Sequence, residues 1–123
     1  MDANAEEVVV TGLEVDPAKL AEMIAGDEVQ VIDVRRDYEH DAGHIPGARH
    51  VEINELTAQA ESIEKDRPVV FYCRGGSRSA MAAEAYAQAG YDSHNLAGGI
   101  LAWVELENPL EPDDGNVAEQ KPV

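Results

Sequence analysis

Apolar residues along this chain gather in short runs, separated by polar stretches that carry helical spacing. Val8-Val9-Val10 opens a first short strand, Val29 to Val34 a second, and Val69-Val70-Phe71-Tyr72 a third. Arg49-His50-Val51 and Ser93 to Leu96 read as two further short strands. In the second run Val29, Val31, Ile32 and Val34 are apolar, and apolarity that nearly continuous indicates burial on both faces, as in a parallel sheet.

Helices fill the intervals. Asp16 can cap the first one and Pro17 suits its first position. Leu20, Met23 and Ile24 mark its inward side and Gly26 ends it. Asn54 is placed to cap a helix reaching to about Ile63, with Leu56 and Ile63 inward. The alanine-rich run Ala80 to Ala89, closed by Gly90, sets Ala80, Ala83 and Ala87 on one face, small enough to sit close to a sheet. Gly98-Gly99 makes a tight turn into a last helix, Ile100 to Leu106, whose Trp103 lies at core spacing from Ile100. Arg35 to Ala48 is polar and irregular, and within it His44-Ile45-Pro46-Gly47 reads as a rigid turn. Strands alternating with helices predict an α/β fold, a three-layer sandwich with a central parallel sheet and helices on both faces.

Composition narrows this. A chain of 123 residues fits one domain. Residues 1–7 are expected to be a disordered N-terminus, 8–107 the folded domain, and 108–123, with Pro109, Pro112, Pro122 and several acids, an acidic disordered tail. Aspartate and glutamate number 25 against 9 lysines and arginines, a formal net charge of −16. Such a surface repels nucleic acid and anionic membrane, so neither is expected as a partner. The excess is spread along the chain, which fits adaptation to a salty cytoplasm; an acidic partner-binding face is the alternative. No run is long and apolar enough to span a bilayer, and Met1 to Glu7 lacks the parts of a signal peptide. A cytoplasmic protein is expected, and a single cysteine, Cys73, leaves no internal disulfide.

That cysteine falls where the third strand ends and the alanine-rich helix begins, the place where α/β folds put their chemistry. The thiolate is the reactive form, and positive potential favours it. Three sources converge on it. Amides at the helix start are unsatisfied donors at the positive end of the dipole. Gly75 and Gly76 let the backbone curl into an anion nest, and Arg74 and Arg78 add permanent charge. The loop can therefore stabilise a thiolate and bind an incoming anion beside it.

Cys73-Arg74-Gly75-Gly76-Ser77-Arg78-Ser79 resembles the active-site loop of the rhodanese family of sulfurtransferases. Asp33-Val34-Arg35, then Glu39, then Gly43-His44-Ile45-Pro46-Gly47-Ala48 resembles its N-terminal signature, and Asn95-Leu96-Ala97-Gly98-Gly99-Ile100 with Ala102-Trp103 its C-terminal one. The three stretches stand in the family's order across roughly Val8 to Glu107. The resemblance implies a single-domain, rhodanese-like sandwich, and the acidic charge suggests a member of halophilic archaeal type. It also implies transfer of a sulfane sulfur from thiosulfate to cyanide or a thiol through a Cys73 persulfide. Substrate contacts are then expected from Arg74, Gly75, Gly76, Ser77, Arg78 and Ser79, with no cofactor and no metal. Thiosulfate is expected over 3-mercaptopyruvate, because family members specialised for the latter carry glycine after the cysteine, where this chain has Arg74.

Supporting roles fall to Asp33, Arg35, Glu39 and His44. Asp33, Arg35 and Glu39 are expected to form one ion-paired cluster, with Arg35 either part of the substrate's surroundings or, the favoured reading, a lock on the loop. His44 is either a general base or, the favoured reading, a hydrogen-bonded turn residue. His40, His44, His50 and His94 have no recognisable metal-ligand spacing. Two rival functions remain open. A cysteine phosphatase or arsenate reductase would also use a thiolate at a helix start, but cysteine phosphatases place five residues between cysteine and arginine, and here there are four. A sulfur-relay module acting with a protein acceptor is the other.

Overall fold

The computed structural model describes residues 13–121. Five strands, β1 (Glu14–Val15), β2 (Gln30–Asp33), β3 (Arg49–His50), β4 (Val69–Tyr72) and β5 (Ser93–Leu96), form one sheet in the order β1-β5-β4-β2-β3. Every pairing is parallel. The expected strand at Val8–Val10 lies outside the described residues. The helices are α1 (Pro17–Ala25), α2 (Asp37–Ala42), α3 (Leu56–Gln59), α4 (Ser77–Gln88) and α5 (Gly99–Glu105).

β4 shows why the sheet is covered on both sides. All four of its residues are buried, and alternate side chains enter different cores. Val69, Phe71 and Cys73 pack with Ile32, Leu56, Ile63, Ala82, Ala83 and Tyr86 under α3 and α4. Val70 and Tyr72 pack with Leu20, Leu96, Ile100 and Trp103 under α1 and α5. At roughly 1.5–3 kcal/mol for each large apolar side chain removed from water, these two layers hold the strand that carries the cysteine.

Local rules account for the start of α1. The Asp16 carboxylate accepts the Lys19 amide at 2.8 Å, and Pro17 takes the first position of α1. The stretch expected as one helix from Asn54 to about Ile63 is three short pieces, a 3₁₀ turn at Ile53–Glu55, α3, and a second 3₁₀ turn at Ala60–Ser62. Asn54 lies inside the first turn and makes no side-chain cap, while Leu56 and Ile63 are buried as expected. On α4 the inward face is Ser79, Ala82, Ala83 and Tyr86, so Ala83 faces the sheet but Ala80 and Ala87 flank that face. The tyrosine sets this register: its hydroxyl donates to the Leu56 carbonyl at 2.7 Å. α2 falls in the stretch read as irregular. It has no apolar stripe, and its buried residue is a carboxylate, Glu39.

Residues 108–121, where the sequence suggests a disordered tail, run along the body with no helix or strand of their own. Trp103 Nε1 donates to the Pro109 carbonyl at 2.8 Å, His44 and Glu111 exchange backbone hydrogen bonds, and the Asn116 amide donates to the Ala42 carbonyl at 2.9 Å.

Candidate active site

The loop after β4 turns back so tightly that the Gly76 amide donates to Cys73 Sγ at 3.1 Å. Gly76 has φ +108°, a conformation that a side chain would strain. Ser79, one turn into α4, brings its hydroxyl to 3.4 Å from the same sulfur. Cys73 is buried, with 1% of its surface exposed. Burial opposes ionisation of the thiol. Hydrogen bonds from the Ser79 hydroxyl and the Ser79, Gly76 and Arg78 amides outweigh that, so its pKa is lowered. The amides of Gly76, Arg78 and Ser79 are thus turned on the sulfur.

A second helix start fixes the other side of the loop. Ile100 N–H donates to the Cys73 carbonyl at 3.0 Å and Leu101 N–H to the Arg74 carbonyl at 3.2 Å. A Cβ at Gly99 would collide with both carbonyls, which explains glycine there: the first turn of α5 lies directly on the loop.

The charged residues divide into two groups. Asp33 and Arg35 are fully buried and form a fork: Arg35 Nε donates to Oδ1 at 2.9 Å and Nη2 to Oδ2 at 2.7 Å. Asp33 also accepts the Arg35 amide, His40 Nδ1 and the Tyr72 hydroxyl. Burial works against its charge, but the His40 and Arg35 hydrogen bonds prevail and hold its carboxyl far below the usual range. Burial and the facing Asp33 charge push the Tyr72 phenol up. Arg35 Nη2 reaches on to the Gly43 carbonyl at 2.9 Å, so Arg35 locks the end of α2 to the sheet.

Glu39 belongs to the other group, a correction to the single cluster expected. It is fully buried and receives Arg78 Nη1 and Nη2, each at 3.1 Å, with the Arg36 amide at the same distance. Burial again opposes the charge and these hydrogen bonds overcome it, lowering the Glu39 pKa. Arg78, whose fork the sequence suggests for a substrate anion, spends that fork on Glu39. Arg74 Nε donates to the Ala118 carbonyl at 3.0 Å. Gly75 and Ser77 are exposed at the crown of the loop.

His44 takes the turn role: its Nδ1 donates to the His40 carbonyl at 3.0 Å, and its ring stacks on His40 at 3.9 Å. The His50 ring also stacks with that of His40, centre to centre 4.5 Å. The linear spacing of these histidines gives no hint that they meet. Among the described residues Asp37, His50 and Glu52 bring one donor atom each within 4.8 Å of one another, a geometry open to a cation. Asn95, which the sequence sets only in the C-terminal signature, also belongs to this site. It is buried on β5, accepts the Ser79 hydroxyl at 2.5 Å and donates to the Gly76 carbonyl at 3.2 Å. β5 reads Ser93-His94-Asn95-Leu96, and a mostly polar strand that the sheet nonetheless buries was the available signal.

Comparison with known proteins decides the family. The sequence model of the Rhodanese-like domain matches residues 16–106. The chain belongs to the rhodanese-like domain family. It is 36% identical over 104 residues to a sulfurtransferase of Allochromatium vinosum, covering 83% of this chain and 97% of that protein. A putative sulfurtransferase of Bacillus subtilis is 37% identical over 91 residues, 73% of this chain and 88% of that one. The crystal structure of a rhodanese-related protein from Thermoplasma volcanium superimposes with a TM-score of 0.74 at 32% identity, covering 79% of this chain and 95% of that chain. These likenesses support sulfur transfer as the activity of this rhodanese-like domain. Among the described residues no helix is long and apolar enough to cross a membrane.

Proposed function

We propose that this rhodanese-like domain takes the outer sulfur of thiosulfate onto Cys73 and passes it to cyanide or to an external thiol. The observation that carries the reading is the sulfur's setting, buried, stabilised as thiolate, and surrounded by backbone N–H groups at the start of α4. The thiolate attacks the sulfane sulfur, a sulfur–sulfur bond forms, and the bond to the sulfonate breaks with its electron pair leaving on sulfite. The persulfide then carries its charge on the outer sulfur, where the amides of 74–79 can bind it. An acceptor thiolate or cyanide attacks that outer sulfur and regenerates the Cys73 thiolate, a covalent ping-pong cycle.

Binding of the donor falls first to the loop amides and second to the charges of Arg74 and Arg78, since the Arg78 fork is engaged by Glu39. Cys73 is the chain's one cysteine, so the acceptor comes from outside it, and a protein acceptor fits as well as a small thiol. The net charge of −16 fits work in a salty cytoplasm. The test is intact mass after incubation with thiosulfate and then cyanide. The wild type should gain one sulfur atom and lose it to cyanide, and Cys73→Ser should gain none. Sulfurtransferase turnover by Cys73→Ser would overturn the assignment.

A further inference from the structure

Asn95 sits opposite Phe71 in the β4–β5 ladder with 3% of its surface exposed. Its Nδ2 lies 3.1 Å from Glu14 Oε2 and 3.2 Å from the Gly76 carbonyl oxygen, a carboxylate and a carbonyl that only accept. Those two partners fix which way the amide points, because the flipped amide would set oxygen against oxygen twice. Oδ1 must therefore face Ser79. A carbonyl oxygen cannot donate, so the Ser79 hydroxyl gives its proton to Asn95 across 2.5 Å. The same hydroxyl lies 3.4 Å from Cys73 Sγ, and it has one proton to give.

We propose that Asn95 is a positioning residue that competes with Cys73 for the single proton of Ser79, and so keeps the sulfur nucleophilic. This rests on the sulfur-transfer reading. With the hydroxyl turned to Asn95, the sulfur faces an oxygen lone pair, which suits a thiol. When the thiolate forms, the hydroxyl rotates to it and the buried Oδ1 loses its donor, a cost the thiolate must bear. When the sulfur accepts a sulfane sulfur, the charge moves outward, Sγ becomes neutral, and the hydroxyl returns to Asn95. The arrangement favours the step that removes charge from Sγ. A thiolate held less firmly is the better nucleophile, with reactivity rising as basicity to a power of about 0.4–0.5.

The single cysteine makes the test clean. The pH dependence of alkylation by iodoacetamide gives the Cys73 midpoint without any sulfur transfer, so a failure of the transfer reading leaves this measurement intact. Asn95→Ala should lower the midpoint by about one unit, the worth of about one hydrogen bond to the sulfur. Ser79→Ala should raise it, and adding Asn95→Ala to Ser79→Ala should shift it no further. Above both midpoints, persulfide formation from thiosulfate should be about threefold slower in Asn95→Ala than in the wild type. An unchanged or raised midpoint in Asn95→Ala overturns the proposal. So does an equal shift in the Ser79→Ala background, since Asn95 would then act through Gly76 alone. Should Asn95→Ala fail to fold, the wild type decides. The Asn95 side-chain carbonyl carbon resonance should titrate with the Cys73 midpoint, and a resonance that stays still across that range refutes the shared proton.

Discussion

Arg78→Ala should destabilise the domain strongly, because it would strand a buried carboxylate. Glu39 is fully buried, and its partners are the Arg78 fork and one amide, while the Arg78 side chain keeps a fifth of its surface exposed. Removing one member of a buried pair costs about 3–5 kcal/mol, and the exposure of Arg78 argues for the low end, about 3 kcal/mol. For a domain of this size each kcal/mol moves Tm by about 3–5 °C, so Tm at neutral pH should fall by about 10 °C. Glu39→Gln should cost less, because the guanidinium left behind can reach water. The double variant Arg78→Ala/Glu39→Gln should melt above Arg78→Ala, since no charge is then stranded.

The pH dependence gives a second reading of the same pair. The folded pKa of Glu39 is lowered, so the pair contributes its stability above the unfolded carboxyl value of about 4.3, and loses it as pH falls through the folded value. In Arg78→Ala burial is opposed only by the Arg36 amide and the Arg35 charge, so the Glu39 pKa should rise. The Tm gap between wild type and Arg78→Ala should therefore narrow between pH 7 and pH 4. Thermal melts by circular dichroism across that range check both claims. A wild-type Tm in Arg78→Ala, with kcat/KM for thiosulfate collapsed, would refute the reasoning and return the fork to the substrate.

Asp33→Asn should be worse than Arg78→Ala, because it leaves the fully buried Arg35 without its carboxylate; a Tm within a few degrees of wild type would contradict this. Tm and kcat/KM per folded molecule should both rise from 0.1 M toward molar KCl, as the Debye length shrinks from about 10 Å to about 3 Å around a surface of net charge −16. A protein fully folded and fastest in dilute buffer would leave the acidic surface to a partner instead. Thiosulfate should exceed 3-mercaptopyruvate in kcat/KM, a ratio that initial rates measure directly and whose reversal would point away from the cationic loop.

Apolar pattern was enough for the layers and for the place of Cys73. Val69 to Tyr72 reads as a strand from its run of apolar residues, and it is one, with all four buried. α2 was invisible to the same method, since the residue that anchors it is Glu39, whose partner stands 39 positions away. The course of residues 108–121 was invisible too. Pro109 and Pro112 lack donors, yet the carbonyls of Pro109, Glu111 and Ala118 accept hydrogen bonds from Trp103, His44 and Arg74. Pairing between distant polar groups leaves no period in a sequence. Hence Arg35 and Glu39 could be grouped by proximity along the chain although each binds elsewhere, and the histidine stack went unseen.

The same physics explains why three separated stretches, rather than the loop alone, mark this site. A seven-residue loop with two glycines has no means of holding its own curl against the entropy it loses. Each of the three stretches supplies a restraint. From β2 and α2, Arg35 anchors Gly43 and so sets the helix whose Glu39 grips Arg78. From β5, Asn95 holds the carbonyl of Gly76, the residue whose amide donates to the sulfur. From α5, two amides hold the Cys73 and Arg74 carbonyls, at a distance that only glycine at position 99 permits. The restraints meet the loop on carbonyls and on one guanidinium and leave the amides of Gly76, Arg78 and Ser79 turned on the sulfur. Donors already aimed where charge collects need not reorganise as the charge forms, and that is what a buried sulfur must have before it can carry a negative charge at all.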